Sequence, residues 1–343
     1  MKSEERITMA HGSGGESTAE LIAQIFEKEL GNPWLSQMED ATILPSCGEK
    51  MAVTTDSFVV TPVEFSGGDI GKLCVCGTVN DLLMSGAVPK YLTCGFILEE
   101  GLPLETLQRV VHSMAETAKE AGVFVVAGDT KVVENHSGRD GGLIVNTAGV
   151  GFLPAGREAL SPEKITAGDA VIVSGNLGDH HAAILGKRMK LENRIRSDNA
   201  PLGEMTEALW KEGIRVHEMR DVTRGGLATV LSEFASASHK IITLEEGALP
   251  VSEDVKAFCG ILGLDPLYMG NEGKMVCLVA EEDAARAVEA IRKSRYGAQA
   301  VQIGTVSEPD PEKGERPALL LRTGIGGRRV LGPLYGEGLP RIC

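Results

Sequence analysis

GGDIGKLCVCGTVNDLLMSGA (67–87) is the stretch on which the architecture turns. Its apolar residues are nearly continuous, with Lys72, Thr78, Asn80 and Asp81 set among them. The run contains no proline and reads as one long helix, buried over most of its surface rather than along a single stripe.

Working outward, KMAVTTDSFVV (50–60) reads as a strand interrupted by Asp56. Further upstream, ESTAELIAQIFEKELG (16–31) reads as a helix. Ser17 and Glu20 form a capping box, Leu21, Ile22, Ile25 and Phe26 recur at helical spacing, and Gly31 stops it. Downstream, LPLETLQRVVHSMAETAKEAG (102–122) predicts a second helix, and VFVVAGD (123–129) and GLIVNTAGVGFL (142–153) predict strands. LPAGREALSPEKITAGD (153–169), rich in Pro, Gly and charge, marks a boundary. The second half restarts with the strand AVIVSG (170–175), then helices near 180–190, 201–212 and 225–238. Strands KMVCLVA (274–280) and AVQIGTV (300–306) flank a helix over 282–293, and ALLLR (318–322) ends the packed part. Strands and helices mix without strict alternation, so each half is expected to be α+β rather than doubly wound. The expected division is 1–155, 156–323 and a flexible glycine-rich tail, 324–343, ending in Cys343.

The chain has 343 residues, more than one ordinary core accommodates, and 43% of them are apolar. Aromatic residues make up only 4%, so the interiors rest on Ala, Val, Ile and Leu. A net charge of −14 argues against a nucleic-acid binder, which needs a basic footprint. It leaves a metal-held phosphate ligand open. The N-terminus has no apolar signal segment and no 18-residue apolar span occurs, so neither secretion nor a membrane helix is expected. The seven cysteines (47, 74, 76, 94, 259, 277, 343) form no CxxC pair and read as cytoplasmic thiols, Cys74 and Cys76 being core residues.

Acidic residues recur at the ends of apolar runs beside Gly or Thr: Asp56, Asp81 (after Asn80), Asp129, Asp221 and Glu272. One such aspartate is ordinarily a cap or a turn residue; several brought together by folding would suit Mg²⁺ and a nucleotide. HGSGG (11–15) and TRGGLA (223–228) each precede or open a helix, where exposed N–H groups favour anions, although neither is a Walker or dinucleotide motif. Lys131 follows Asp129 by two residues and would serve as a base only if buried near the cluster. GDHH (178–181) raises zinc weakly, since adjacent histidines rarely share an ion.

Together these segments resemble the HypE family of hydrogenase maturation factors. The resemblance is carried by HGSGG, DSFVVTPVEFSGGDIGKL, GTVNDLLMSGAVPKYL, GDTKVV, MRDVTRGGLA, GNEGK and, most specifically, the terminal PRIC. The nucleotide segments alone would match the wider group of aminoimidazole ribonucleotide synthetase (PurM), selenophosphate synthetase and thiamine monophosphate kinase. The resemblance implies a two-domain PurM-like fold, N-terminal domains that pair in a homodimer with a shared β-barrel, and ATP in the cleft between domains. It implies ATP-driven dehydration of a carbamoyl group on the terminal cysteine to a thiocyanate, which becomes the cyanide ligand of the iron in nickel–iron hydrogenase. The implied partners are a HypF-type carbamoyltransferase and a HypC–HypD iron scaffold. The residues that match give Asp56, Asp81, Asp129 and Asp221 as the Mg²⁺–phosphate framework, with Lys72, Thr78, Asn80 and Thr223 at the ATP. Cys343, Lys131 and Glu272 match the reacting groups. His181 departs from the family's GDHG, and strain is expected there if that glycine needs a positive φ.

The tail from Gly324 to Cys343 is twenty residues, with an extended reach of at most roughly 60–70 Å. Two other readings stay open: a small-molecule synthetase or kinase of the same superfamily, and a non-enzymatic carrier whose tail is a docking peptide. Deleting 339–343 would leave the first intact; substituting Lys131 and Glu272 would leave the second intact.

Overall fold

The computed structural model describes residues 6–8, 11, 20–33, 35, 50–135 and 141–334. It divides into two units, one holding the described residues up to Leu82 with Ala87–Arg157, the other Leu83–Gly86 with Glu158–Leu334.

In the first unit a π-helical turn, Ile22–Glu27, continues as Lys28–Leu30 and together they form α1. The strands are β1 (Lys50–Phe58), the two-residue pair β2 (Glu64–Phe65) and β3 (Gly68–Asp69), β4 (Val88–Glu99), β5 (Phe124–Val133) and β6 (Leu143–Leu153). The helices between them are α2 (Ile70–Met84) and α3 (Leu104–Ala121). One sheet runs in the order β1-β6-β4-β5. Its β4–β5 pair is parallel, connected through α3, and the other pairs are antiparallel. Asp56 does not interrupt β1: the strand continues through it, with Asp56 opposite Thr147 on β6. The central strand β4 was not legible in the sequence. Pro89 and Gly95 break its strand signal, yet Leu92, Cys94, Phe96 and Leu98 are buried.

The α2 helix lies on the inner face of this sheet. Leu73, Cys74, Val75 and Cys76 are fully buried. A Cβ added to Gly149 of β6 would stand within 3 Å of Thr78 and Leu82, which fixes how closely helix and sheet approach. The outer face is different: Met51, Val53, Ile97, Phe124 and Val133 are exposed apolar residues on it.

The second unit is built on a seven-stranded sheet, with strands β7 (Ala170–Val173), β8 (Val216–Asp221), β9 (Ile241–Glu245), β10 (Met275–Val279), β11 (Val301–Ser307), β12 (Ala318–Arg322) and β13 (Arg328–Leu331). Their order is β13-β12-β9-β11-β7-β10-β8. The helices are α4 (Asp179–Arg188), α5 (Gly203–Lys211), α6 (Gly226–Ser238), α7 (Glu253–Leu262) and α8 (Ala284–Arg292). The core joins α6, through Leu227, Leu231 and Phe234, to Val173, Ile242, Val276 and Ile303 of the sheet. Both units mix helices with largely antiparallel sheets, which is the α+β class expected.

The expectation of a flexible tail from Gly324 is corrected. Residues 328–331 form β13, paired antiparallel with β12, and Leu331 is buried in the core. Beyond it, Tyr268 donates its hydroxyl to the Gly332 carbonyl at 3.1 Å and the Leu334 N–H donates to Thr229 Oγ1 at 3.0 Å. Glycines alone suggested slack; the Leu331 side chain and the strand ladder hold this stretch in place.

Candidate functional site

Residues 52, 54, 56 and 58 of β1 alternate inward toward α2. Thr54 Oγ1 donates to Asp81 Oδ2 at 2.9 Å. A carboxylate oxygen of Asp56 stands 3.5 Å from where a Cβ on Gly77 would lie. Gly77 and Asp81 are one helical turn apart, so the carboxylates of Asp56 and Asp81 share the space between β1 and α2. Thr78 is fully buried and its hydroxyl bonds that of Thr147, which also reaches the Cys74 carbonyl at 3.3 Å. Asn80, two residues after Thr78, is also buried. At the start of the helix the Lys72 N–H donates to Asp69 Oδ1 at 2.9 Å; burial pushes the Asp69 carboxyl above its ordinary range, against the pull of these hydrogen bonds.

Asp129 and Lys131 are not part of that pair. They lie on β5, and in the order β1-β6-β4-β5 that strand is the opposite edge, about 14 Å away across three strand spacings. Both are exposed, and Lys131 Nζ lies 3.5 Å from Asp129 Oδ2. Burial does not reach Lys131 within one chain.

The second unit gathers its own polar cluster at one end of its sheet, where β8 ends and β10 begins. Asp221 pairs in register with Met275. The Val222 N–H donates to the Lys274 carbonyl at 2.9 Å and the Asn271 N–H donates to the Val222 carbonyl at 2.8 Å, tying the Asn271–Lys274 loop to Asp221. Thr223 opens the turn into α6, its carbonyl accepting from the Gly226 N–H at 3.0 Å. Glu272 is 7% exposed, and its N–H donates to Asp198 Oδ1 at 3.1 Å. Lys274 Nζ lies 3.4 Å from Asp198 Oδ2. Gly273 admits no side chain, since a Cβ there would meet the Asp198 carbonyl at 1.9 Å.

The α4 terminus joins the same cluster. Gly178 caps it at φ +86°, its N–H donating to Asn271 Oδ1 at 2.7 Å. Burial, then the neighbouring Asp198 charge, pushes the Asp179 carboxyl up to about 6, with Lys274 opposing. His180 and His181 are buried, and desolvation first of all holds both imidazoles down at about 4, so they are neutral at pH 7. His180 Nδ1 lies 2.7 Å from Ser197 Oγ. The expected strain at His181 does not arise: it sits inside α4, and the only non-glycine residues with positive φ among those described are Lys190 and His239.

Of the candidates read from the sequence, the structure brings Asp56 to Asp81 in the first unit and ties Asp221, Thr223 and Glu272 to one loop cluster in the second. The same cluster holds Asp179, Asp198 and Asn199, which the sequence reading did not single out. No local signal marks them: residues 197–199 read as an ordinary polar surface loop, yet Ser197 and Asn199 are buried. Cys343 and residues 12–15 of the glycine-rich stretch lie outside the described residues. Among the described residues no three His, Cys, Asp or Glu side chains form a metal cluster. Asp129 does not join Asp56 and Asp81 within one chain. The paired carboxylates Asp56 and Asp81 nevertheless fit Mg²⁺, which takes one or two carboxylates and fills its shell with phosphate and water oxygens.

Residues 38–153 match the AIR synthase related protein N-terminal domain family and residues 166–315 the corresponding C-terminal domain family. The carbamoyl dehydratase HypE of Cupriavidus necator is 46% identical over 341 residues, covering 98% of this chain and 95% of that protein. A crystal structure of hydrogenase maturation protein HypE in complex with ATP superposes with a TM-score of 0.92 at 43% identity, covering 98% of this chain and 99% of the other. A HypE–HypF complex structure matches at 42% identity and a TM-score of 0.77, covering 92% and 99%. With both PurM-like domains present and relatives matched over almost the full length, the chain belongs to the HypE family, the carbamoyl dehydratases of hydrogenase maturation.

Proposed function

We propose that this chain is the ATP-dependent carbamoyl dehydratase that converts an S-carbamoyl group on its own Cys343 into a thiocyanate, the source of the cyanide ligand for the iron of nickel–iron hydrogenase. The observation that carries this is 46% identity to a carbamoyl dehydratase across 98% of the chain. The bond changes balance without any redox partner. The oxygen of –S–CO–NH₂ attacks the γ-phosphorus of ATP, ADP leaves, and one nitrogen proton is lost, giving –S–C(OPO₃²⁻)=NH. Loss of the second nitrogen proton and cleavage of C–O then give –S–C≡N and hydrogen phosphate.

Each residue has a place in that sequence. Glu272, held by Asp198 at its N–H, takes a nitrogen proton. Lys131 is the second proton-handling group. In the first unit Asp56 and Asp81 would hold the Mg²⁺ of the nucleotide, with Lys72, Thr78 and Asn80 as its nucleotide-side candidates; in the second unit Asp221 and Thr223 are the candidates for the same ligand. Bound Mg²⁺ supplies charge neutralisation of the phosphates. Because β1 and β5 are opposite edges of one sheet, a second copy of the chain brings the Asp129–Lys131 edge to the Asp56–Asp81 edge. The exposed apolar residues Met51, Val53, Ile97 and Phe124 on the outer face support such a homodimer, whose two sheets close into a barrel.

Leu334 is held by Thr229, and the nine residues 335–343 beyond it reach at most roughly 30 Å from it. Cys343 therefore works within a shorter radius than a tether from Gly324 would give. A HypF-type protein supplies the carbamoyl group, a HypC–HypD scaffold receives the cyanide, and the cytoplasm is the compartment that keeps the thiol free. Intact mass of the carbamoylated protein, before and after ATP, tests the reaction. The C-terminal peptide loses the mass of water; turnover by Cys343→Ala, or a peptide that never loses water, would overturn the reading.

A further inference from the structure

Glu272 is gripped from both sides by one loop. Its N–H donates to Asp198 Oδ1 at 3.1 Å, and its carbonyl accepts from the Ala200 N–H at 3.3 Å. Asn199 stands between those two residues and is 2% exposed. Its backbone N–H donates to Ser197 Oγ at 3.2 Å, the same hydroxyl that meets His180. Its side-chain Oδ1 and Nδ2 are both buried and neither finds a hydrogen-bond partner among the described residues. A buried carboxamide with both ends unpartnered is costly and rare, and it needs a polar partner, a buried water or a ligand of matching pattern.

The pattern identifies the ligand class. An asparagine side chain presents one acceptor and one two-proton donor on adjacent atoms of a plane. Its complement is another primary carboxamide, which presents the same pair reversed. The carbamoyl group –S–CO–NH₂ is a primary carboxamide. Resting on the dehydratase reading above, we propose that Asn199 recognises the carbamoyl group by two reciprocal hydrogen bonds, Oδ1 accepting from its N–H and Nδ2 donating to its oxygen, beside Glu272. One nitrogen proton is then held by Asn199 and the other is left toward Glu272. A thioester or thiocarbonate on Cys343 lacks the N–H and leaves Oδ1 buried and unpaired, so the site selects against it.

The test uses full-length protein carrying a nitrogen-15 carbamoyl group on Cys343, as wild type, Asn199→Ala and Asn199→Asp. With a non-hydrolysable ATP analogue, the carbamoyl N–H resonances of the wild type move downfield and exchange slowly with solvent; both variants lose this. With ATP, single-turnover loss of water slows about 100-fold in both, the size expected for removing one buried donor aimed at reacting atoms. Should Asn199→Ala fail to fold, Asn199→Asp, of the same shape, carries both readouts. Wild-type resonances and rates in a folded variant would overturn the proposal and assign the Asn199 amide to buried water. A wild type that never loses water would instead sink the dehydratase reading, while the resonance shift would still report on the contact.

Discussion

Asp179, His180 and His181 are neighbours in the chain with opposite effects on stability as pH changes. The folded state raises the Asp179 pKa to about 6 from 3.8, so between those values the unfolded chain gives up its proton first. Stability therefore falls as pH rises through that window and stays reduced above it. Asp179→Asn removes this term. It should raise unfolding stability at about pH 8 by about 1 kcal/mol, after discounting for partial exposure, and the gain should vanish near pH 4. For His180 and His181 the folded pKa is depressed to about 4 from 6.5, and the sign reverses. Below pH 6.5 the unfolded chain takes up protons first, so stability is lost as pH falls toward 4. His181→Ala should flatten that acid limb in urea melts recorded from neutral to about pH 4.5; an unchanged slope would show that His181 is not held neutral by burial. Gly273 gives a sharper test. A Cβ there meets the Asp198 carbonyl at 1.9 Å, and backbone cannot step aside as a flexible side chain would. Gly273→Ala should displace Glu272 and abolish thiocyanate formation, with a stability loss of about 1–3 kcal/mol.

The α2 helix shows the same logic at the scale of an element. A Cβ on Gly71 would lie 2.0 Å from the Val110 carbonyl of α3, whereas one on Gly77 would meet mainly the tip of the Phe58 ring, at 2.8 Å. Gly71→Ala must push two helices apart, and Gly77→Ala need only turn a ring. Thermal unfolding should therefore drop several degrees further for Gly71→Ala; equal drops would mean that α2 and α3 are looser than the geometry requires. This helix was the element best read from sequence, because a near-continuous apolar run of that length without proline has few other solutions. The strand β4 was not read, because Pro89 and Gly95 hide its alternation and its place in the sheet comes from pairing with β5 and β6. The site divides in the same way. Asp56, Asp81, Asp221 and Glu272 carry local marks, an acid beside Gly or Thr at the end of an apolar run. Asp198 and Asn199 sit in an undistinguished loop, and their meaning comes from Glu272, more than seventy residues away in the chain, which no local pattern reports.

Across the whole molecule, the role proposed for Lys131 sets how many chains must make one site. It lies on β5 and Asp56 on β1, the two outer strands of a four-stranded sheet, so one copy does not bring them together. If a site takes Asp56 from one copy and Lys131 from the other, variants inactive alone must rescue each other. Asp56→Asn mixed with Lys131→Ala yields heterodimers in which one site carries both substitutions and the other carries neither. Random exchange makes half the dimers mixed, and half of their sites intact, so about a quarter of wild-type activity returns. Sites built within a single chain would stay dead in every mixture, since each copy lacks one group. A third protein separates failure of pairing from failure of sharing. Val53→Asp places a charge on the exposed apolar face of β1 and should run as a monomer in sedimentation, with thiocyanate formation lost even at full carbamoylation of Cys343. An active Val53→Asp monomer would mean that one chain holds a complete site, and Lys131 would then have to reach the substrate by a route other than the β1–β5 seam.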